Sequence, residues 1–222
     1  MGPLAVAIMA KAPRAGEVKT RLCPPLSGAE AAELYRCFLL DKIEQVRSLQ
    51  GARPAIAYTP EEGRAFFEAV APDFRLLPQR GEDLGARLAG TFAALFAQGY
   101  AGALAIDSDT PTLPPGLLQQ AVDLIAGPAA DVVLGPCEDG GYYLVGLRRL
   151  HRQLFEGIAW STDRVLPETL RRAEGLGLTV ASLPTWLDID TPEDLERLQV
   201  SLARTETDLP RHTRDFFRER PR

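Results

Sequence analysis

Apolar and polar positions follow two different rhythms along this chain. Short runs in which nearly every residue is apolar fall at residues 4–10, 54–58, 74–78, 102–106, 131–135, 142–147 and 178–183. Runs of this length, bounded by Gly, Pro and Asp, read as buried strands. Between most of them the apolar positions recur at helical spacing, over 28–49, 61–70, 84–98, 116–125, 161–174 and 192–203. Strands alternating with amphipathic helices predict an α/β fold, a three-layer, doubly wound and mainly parallel sheet. The fifth and sixth runs are separated by about five residues, too few for a parallel crossover. An antiparallel strand over 142–147 is therefore expected, which makes the sheet mixed. One domain over 1–203 and a tail over 204–222 follow, the tail holding six Arg and four acids with little periodicity. Docking of that tail on the body or on a second copy, as a homodimer, is one expectation; fraying is the other.

In such a sheet ligands gather at the carboxyl ends of the strands, and there the fourth run continues into I-D-S-D-T-P. Residues i and i+2 of an extended chain point the same way, so Asp107 and Asp109 can face one small volume. Hard carboxylate oxygens there suit Mg2+ or Mn2+, ions that commonly bridge to substrate phosphates. A plain Asx-turn is the alternative reading. The loop after the first run brings Lys11, Arg14, Lys19 and Arg21 to the same edge as natural phosphate partners, or as a solvated basic loop. It lacks the spacing of a P-loop or of a dinucleotide fingerprint.

Further along, Asp83 is placed to cap a helix, and Gly81 and Gly85 would let a base or ribose approach. The P-C-E-D-G-G-Y-Y stretch holds Glu138 and Asp139 with Gly140, Gly141 and Tyr142, a turn that can also line an acceptor pocket. Glu138 or Asp139 is a candidate base. L-D-I-D-T-P-E-D supplies a second acid pair, Asp188 and Asp190, either of which could complete a metal shell. The following Thr191, Pro192 and Asp194 read as helix capping. Ser161 is an N-cap candidate beside Trp160, an aromatic that reads either as core packing or as a cover for a substrate.

Composition narrows the classes. The 222 residues carry 45% hydrophobic and 25% charged positions with a net charge of −5, and the pI is about 5.2. These values argue against a general nucleic-acid surface or an anionic-membrane surface. Three unpaired-looking cysteines, Cys23, Cys37 and Cys137, give neither a disulfide framework nor a zinc ribbon. No apolar run is long enough to span a membrane and no secretory leader is evident, so a cytoplasmic setting is expected. Two distant histidines, His151 and His212, leave little material for a Ser-His-Asp triad.

Taken in order, K-T-R-L, D-L-G-A-R-L, I-D-S-D-T-P, L-G-P-C-E-D-G-G-Y-Y-L-V-G-L, W-S-T and L-D-I-D-T-P-E-D-L resemble a bacterial, GT-A-like family of the nucleotide-diphospho-sugar transferase superfamily. Some of its members are described as arsenosugar-biosynthesis-type glycosyltransferases. The K-T-R-L and D-G-G elements also resemble phospholactate guanylyltransferases and, less closely, molybdenum-cofactor nucleotidyltransferases. The resemblance, spanning about residues 4–202, implies a D-x-D metal and nucleotide site at Asp107 and Asp109. It implies phosphate ligands at Lys19 and Arg21, a further metal contact at Asp190 or Asp188, and an acceptor side at Gly140 and Gly141.

The activity expected is a metal-dependent glycosyltransferase that uses a nucleotide-diphospho-sugar and a small-molecule acceptor. Its rival is a nucleotidyltransferase that joins an NMP to a phosphorylated acceptor and releases pyrophosphate, for which Lys11, Lys19 and Arg21 would suit a triphosphate. A catalytically silent nucleotide-binding scaffold is the third reading. Fold alone does not separate them.

Overall fold

Burial of the first strand on both faces organises the whole molecule. The computed structural model describes residues 2–204 and 209–219. Strand β1 (Leu4–Lys11) is buried on both faces over most of its length. Val6 and Ile8 point into one apolar cluster, and Ala5 and Ala7 into another. The other strands are β2 (Ala52–Thr59), β3 (Arg75–Pro78), β4 (Gly102–Ile106), β5 (Val132–Pro136), β6 (Tyr142–Leu147) and β7 (Val180–Ser182). They form one seven-stranded sheet in the order β3-β2-β1-β4-β6-β5-β7. Only β6 runs against its neighbours, pairing antiparallel with both β4 and β5. The short link between β5 and β6 demands that reversal, as the sequence pattern predicts.

Helices cover both faces. The first cluster packs residues of α1 (Gly28–Arg47), α2 (Arg64–Val70) and α4 (Pro115–Ala126) against one face. The second packs α3 (Leu84–Ala97) and α5 (Val165–Gly175) against the other. On that second face β1, β2 and β4 present mainly alanines, whose small side chains let α3 lie close to the sheet. Helix α6 (Pro192–Arg204) packs on the outer side of α1 and adds a smaller third cluster.

Two elements differ from the sequence pattern. The expected helix start at Ser161 moves to Val165, because residues 161–164 form a turn in which Ser161 takes a left-handed φ of 64°. In that turn the Thr162 hydroxyl donates to Ala159 O at 2.7 Å. Within the segment 204–222, residues 205–208 and 220–222 lie outside the described residues, and Arg211–Glu219 forms a helix, α7, that lies on α1. Asp41 of α1, almost wholly buried, caps α7 from the side. It accepts from His212 N (2.9 Å), Thr213 N (2.9 Å) and the Thr213 hydroxyl (2.6 Å). Among the described residues, no helix is long and apolar enough to cross a membrane.

Candidate active site

Every strand except β6 ends its course on one edge of the sheet, and β6 begins there. A cavity of about 760 Å³ opens along that edge, within the size range of small-molecule sites. Lys11, Lys19, Arg21, Asp107, Asp109, Asp139, Gly141, Tyr142, Asp188 and Asp190 all line it, which brings most of the sequence candidates together. Six do not reach it. Arg14 lies 3.9 Å from Glu17 in an ion pair, and Gly81, with φ of 135°, sits ahead of α3 outside the lining. Glu138 pairs with Arg197 at 2.9 Å on the exposed rim. Gly140, with φ of 90°, lies against the backbone of Asp163, which a Cβ would approach to 2.4 Å. Asp83 caps α3 by accepting from Ala86 N at 2.7 Å. Gly85 is buried under the Trp160 indole, where a Cβ would meet Nε1 at 2.5 Å. Trp160 itself lines the cavity edge-on to Tyr142, so it shapes the cavity as well as packing.

The two acids of I-D-S-D share the cavity but have different partners. Asp107 stays in the sheet pattern, its backbone N donating to Tyr143 O at 2.8 Å. Its Oδ1 accepts from the Thr110 hydroxyl at 2.7 Å and lies 3.9 Å from the Lys42 ammonium. Asp109 instead meets Lys19, whose Nζ lies 2.8 Å from Asp109 Oδ1 and 2.7 Å from Asp190 Oδ1. The Lys19 side chain is only 5% exposed. Burial opposes its charge, but Asp109 and Asp190 outweigh that and hold the ammonium above its usual pKa. Lys19 also adopts φ 48°, ψ 36°, a left-handed conformation that costs a lysine on the order of 1–2 kcal/mol. Asp190 is held in turn by the start of α6, where Asp194 accepts from the backbone N of Asp190 and Thr191.

Burial, against a counteracting Lys42, pushes the Asp107 carboxyl up to about 6, with Asp109 adding to the rise. Asp188 rises to about 7 through burial and then through the charges of Asp139 and Asp190. Donor atoms of Asp188, Asp139 and the buried Cys137 lie within 4.8 Å of one another. Carboxylates crowded so that their neighbours' charges raise Asp107 and Asp188, in a cleft lined by oxygen donors, fit a divalent cation of the Mg2+ or Mn2+ type. Asp109 and Asp190 have Lys19 as their counter-ion, which leaves Asp107, Asp139 and Asp188 with the larger unbalanced charge.

Residues that sequence reasoning missed complete the cavity. Gln79, at the end of β3, donates to Ala57 O at 2.7 Å. Arg87 of α3 donates through Nε to Gly81 O at 3.1 Å. Among the described residues, Lys11 and Arg87 line the cavity without an ion-pair partner. Tyr35 of α1 bridges the loops beneath the site, its hydroxyl 2.9 Å from Ser108 Oγ and accepting from Lys11 N at 3.0 Å. Lys42 is fully buried, yet a lysine on the apolar stripe Leu34, Phe38, Lys42, at intervals of four, was visible in the sequence.

Residues 42–162 match a bacterial family described as an uncharacterized protein conserved in bacteria, DUF2064. The chain belongs to that family. It is similar along nearly its whole length to a provisionally named nucleotide-diphospho-sugar transferase of Desulfovibrio desulfuricans G20. That similarity is 31% identity with a TM-score of 0.90, covering 99% of this chain and 95% of the other. The fold is shared more distantly with a cytidylyltransferase of Leptospira borgpetersenii serovar Hardjo-bovis (strain JB197), at 14% identity and TM-score 0.62, covering 93% of this chain and 89% of the other. It is shared also with Rv0371c of Mycobacterium tuberculosis H37Rv, crystallised with manganese, at 17% identity and TM-score 0.55, covering 90% and 99%. No curated protein matches the sequence. The DUF2064 chain thus has the α/β architecture of nucleotide-diphospho-sugar transferases, with the mixed sheet that its sequence pattern predicts.

Proposed function

We propose that this DUF2064 protein is a transferase that takes a nucleotide-diphospho-sugar and passes its sugar to a hydroxyl of a small acceptor. The observation that carries the reading is the convergence, in one cavity, of the acids Asp107, Asp139 and Asp188 with the unpaired cations Lys11 and Arg87. The relative of 31% identity, named as a nucleotide-diphospho-sugar transferase, supports the donor class.

Asp107 and Asp188 would hold a divalent cation, whose chemistry is neutralisation of the charge that builds on the departing nucleoside diphosphate. The manganese in Rv0371c supports that choice of ion. Lys11 and Arg21 reach the same donor phosphates. Asp139, fixed by the Gly141 N–H at 2.8 Å, takes the acceptor proton as the acceptor oxygen bonds to the anomeric carbon and the bond to the diphosphate oxygen breaks. Trp160 and Tyr142 form the acceptor wall.

Nucleotidyl transfer, the chemistry of the more distant cytidylyltransferase fold, would call on Lys11, Lys19 and Arg21 to hold a triphosphate. The two ion pairs of Lys19 engage one of those three cations, which favours the diphosphate donor.

The reading is tested by thermal stabilisation with nucleotide sugars and NTPs, in Mn2+ and in EDTA. A ligand at about 100 times its Kd adds roughly 2.7 kcal/mol. The expected result is a Mn2+-dependent shift with a nucleotide sugar, lost together with turnover in Asp107→Asn. A shift confined to NTPs would transfer the assignment to nucleotidyl transfer, and full activity in Asp107→Asn would remove the carboxylate from the mechanism.

A further inference from the structure

Lys42 projects from the C-terminal half of α1 and is entirely inaccessible to solvent. A buried ammonium costs several kcal/mol unless it is well partnered, so its partners reveal what it is there to hold. Nζ donates to Thr110 O at 3.0 Å and to Thr110 Oγ1 at 2.9 Å, and no carboxylate is nearer than Asp107, at 3.9 Å. Thr110 is also fully buried. Its hydroxyl has one proton, and since Lys42 can only donate to it, that proton is directed to Asp107 Oδ1, 2.7 Å away. The chain of bonds therefore has a single polarity, from ammonium through hydroxyl to carboxylate. It approaches Asp107 from the interior and engages Oδ1, while the backbone N of Asp107 is tied to Tyr143 O on the sheet side.

We infer that Lys42 is a positioning residue for the active site: acting through Thr110, it fixes the rotation of the Asp107 carboxylate, so that the other oxygen would be free to hold a divalent cation. The inference rests on the metal-binding role given to Asp107 above. Lys42 touches neither substrate nor the reacting atoms.

Charge and positioning predict opposite signs, which makes the role testable. By Coulomb's law alone, removing a cation beside Asp107 would tighten the binding of a second cation. If Lys42 positions the carboxylate, its removal weakens that binding. The experiment is titration of the full-length protein with Mn2+ alone, followed by electron paramagnetic resonance, for wild type, Lys42→Met, Thr110→Val, Thr110→Ser, the Lys42→Met/Thr110→Val double variant and Asp107→Asn, with a thermal melt for each.

Lys42→Met and Thr110→Val are each expected to weaken Mn2+ binding about 10- to 100-fold, the usual effect of losing a group that orients a metal ligand. Thr110→Ser, which keeps the hydroxyl, is expected to stay near wild type. The double variant is expected to be no weaker than the worse single one, because both substitutions cut the same chain of bonds. Wild-type or tighter Mn2+ binding by Lys42→Met, in a protein where Asp107→Asn has lost it, overturns the positioning role and leaves the metal site standing. Unchanged binding by Asp107→Asn overturns the metal reading and the positioning role with it. Should Lys42→Met fail to fold, the serine and valine variants at Thr110 decide, since equal affinities for the two remove the hydroxyl from the chain of bonds.

Discussion

At the scale of single residues, the site depends on two local conformations. Lys19 occupies a left-handed backbone conformation that glycine adopts freely, so its side chain must compensate for the strain. Lys19→Ala removes both ion pairs and keeps the strain, whereas Lys19→Gly removes the pairs and relieves it. Lys19→Ala is therefore expected to be the less stable of the two by about 1 kcal/mol in urea denaturation. The reverse order would mean that the left-handed turn is not the native one.

Gly85 is the second case. A Cβ there would collide with the Trp160 indole and with Phe155 O at 2.7 Å. Gly85→Ala should cost about 1–3 kcal/mol through overpacking. Because Trp160 lines the cavity, the same substitution should change its fluorescence and weaken substrate binding, whereas an unaltered emission spectrum would show that the indole has room to spare.

Elements here are stabilised from near and from far. Helix α6 is capped locally, as T-P-E-D predicts. Asp194 accepts from Thr191 N and Oγ1, and Asp194 N donates back to Thr191 Oγ1. Helix α7 is different, because its cap, Asp41, lies about 170 residues earlier in the chain. No local pattern announces it, and its apolar contribution is confined mainly to Phe216 and Phe217. That is why the sequence leaves docking and fraying both open, whereas residues 211–219 form a helix on α1.

Burial pushes the Asp41 carboxyl above its ordinary pKa, while the hydrogen bonds from Thr213 and His212 pull it back. Asp41→Ala would leave the first turn of α7 without acceptors, at a cost of about 1–3 kcal/mol. Chymotrypsin should then cut faster beside Phe216 and Phe217. A cleavage rate equal to that of wild type would show that apolar contact alone seats α7.

On the scale of the whole molecule, what was legible in the sequence was whatever depends on neighbours in the chain. Buried strands alternating with amphipathic helices gave the parallel layers, and a link too short for a crossover gave the reversal of β6. The gathering of Lys11, Asp107, Asp139 and Asp188 at one edge followed from strand direction. What the sequence concealed was how those residues are paired. The two acids of I-D-S-D sit two positions apart and face one cavity, yet one is held by Lys42 through Thr110 and the other by Lys19. Those partners come from α1 and from the loop after β1, and only tertiary packing decides between them.

The reversal of β6 also bears on how the cavity could be altered. It places the turn between β5 and β6 on the same edge as the ends of β1, β2 and β3, but in a separate stretch of the chain. The wall formed by Cys137, Asp139, Gly141 and Tyr142 thus belongs to a different stretch of the chain from the walls formed by the loops after β1, β3 and β4. Insertions between Cys137 and Gly141 would remodel one wall without disturbing the pairing of β1 with β2.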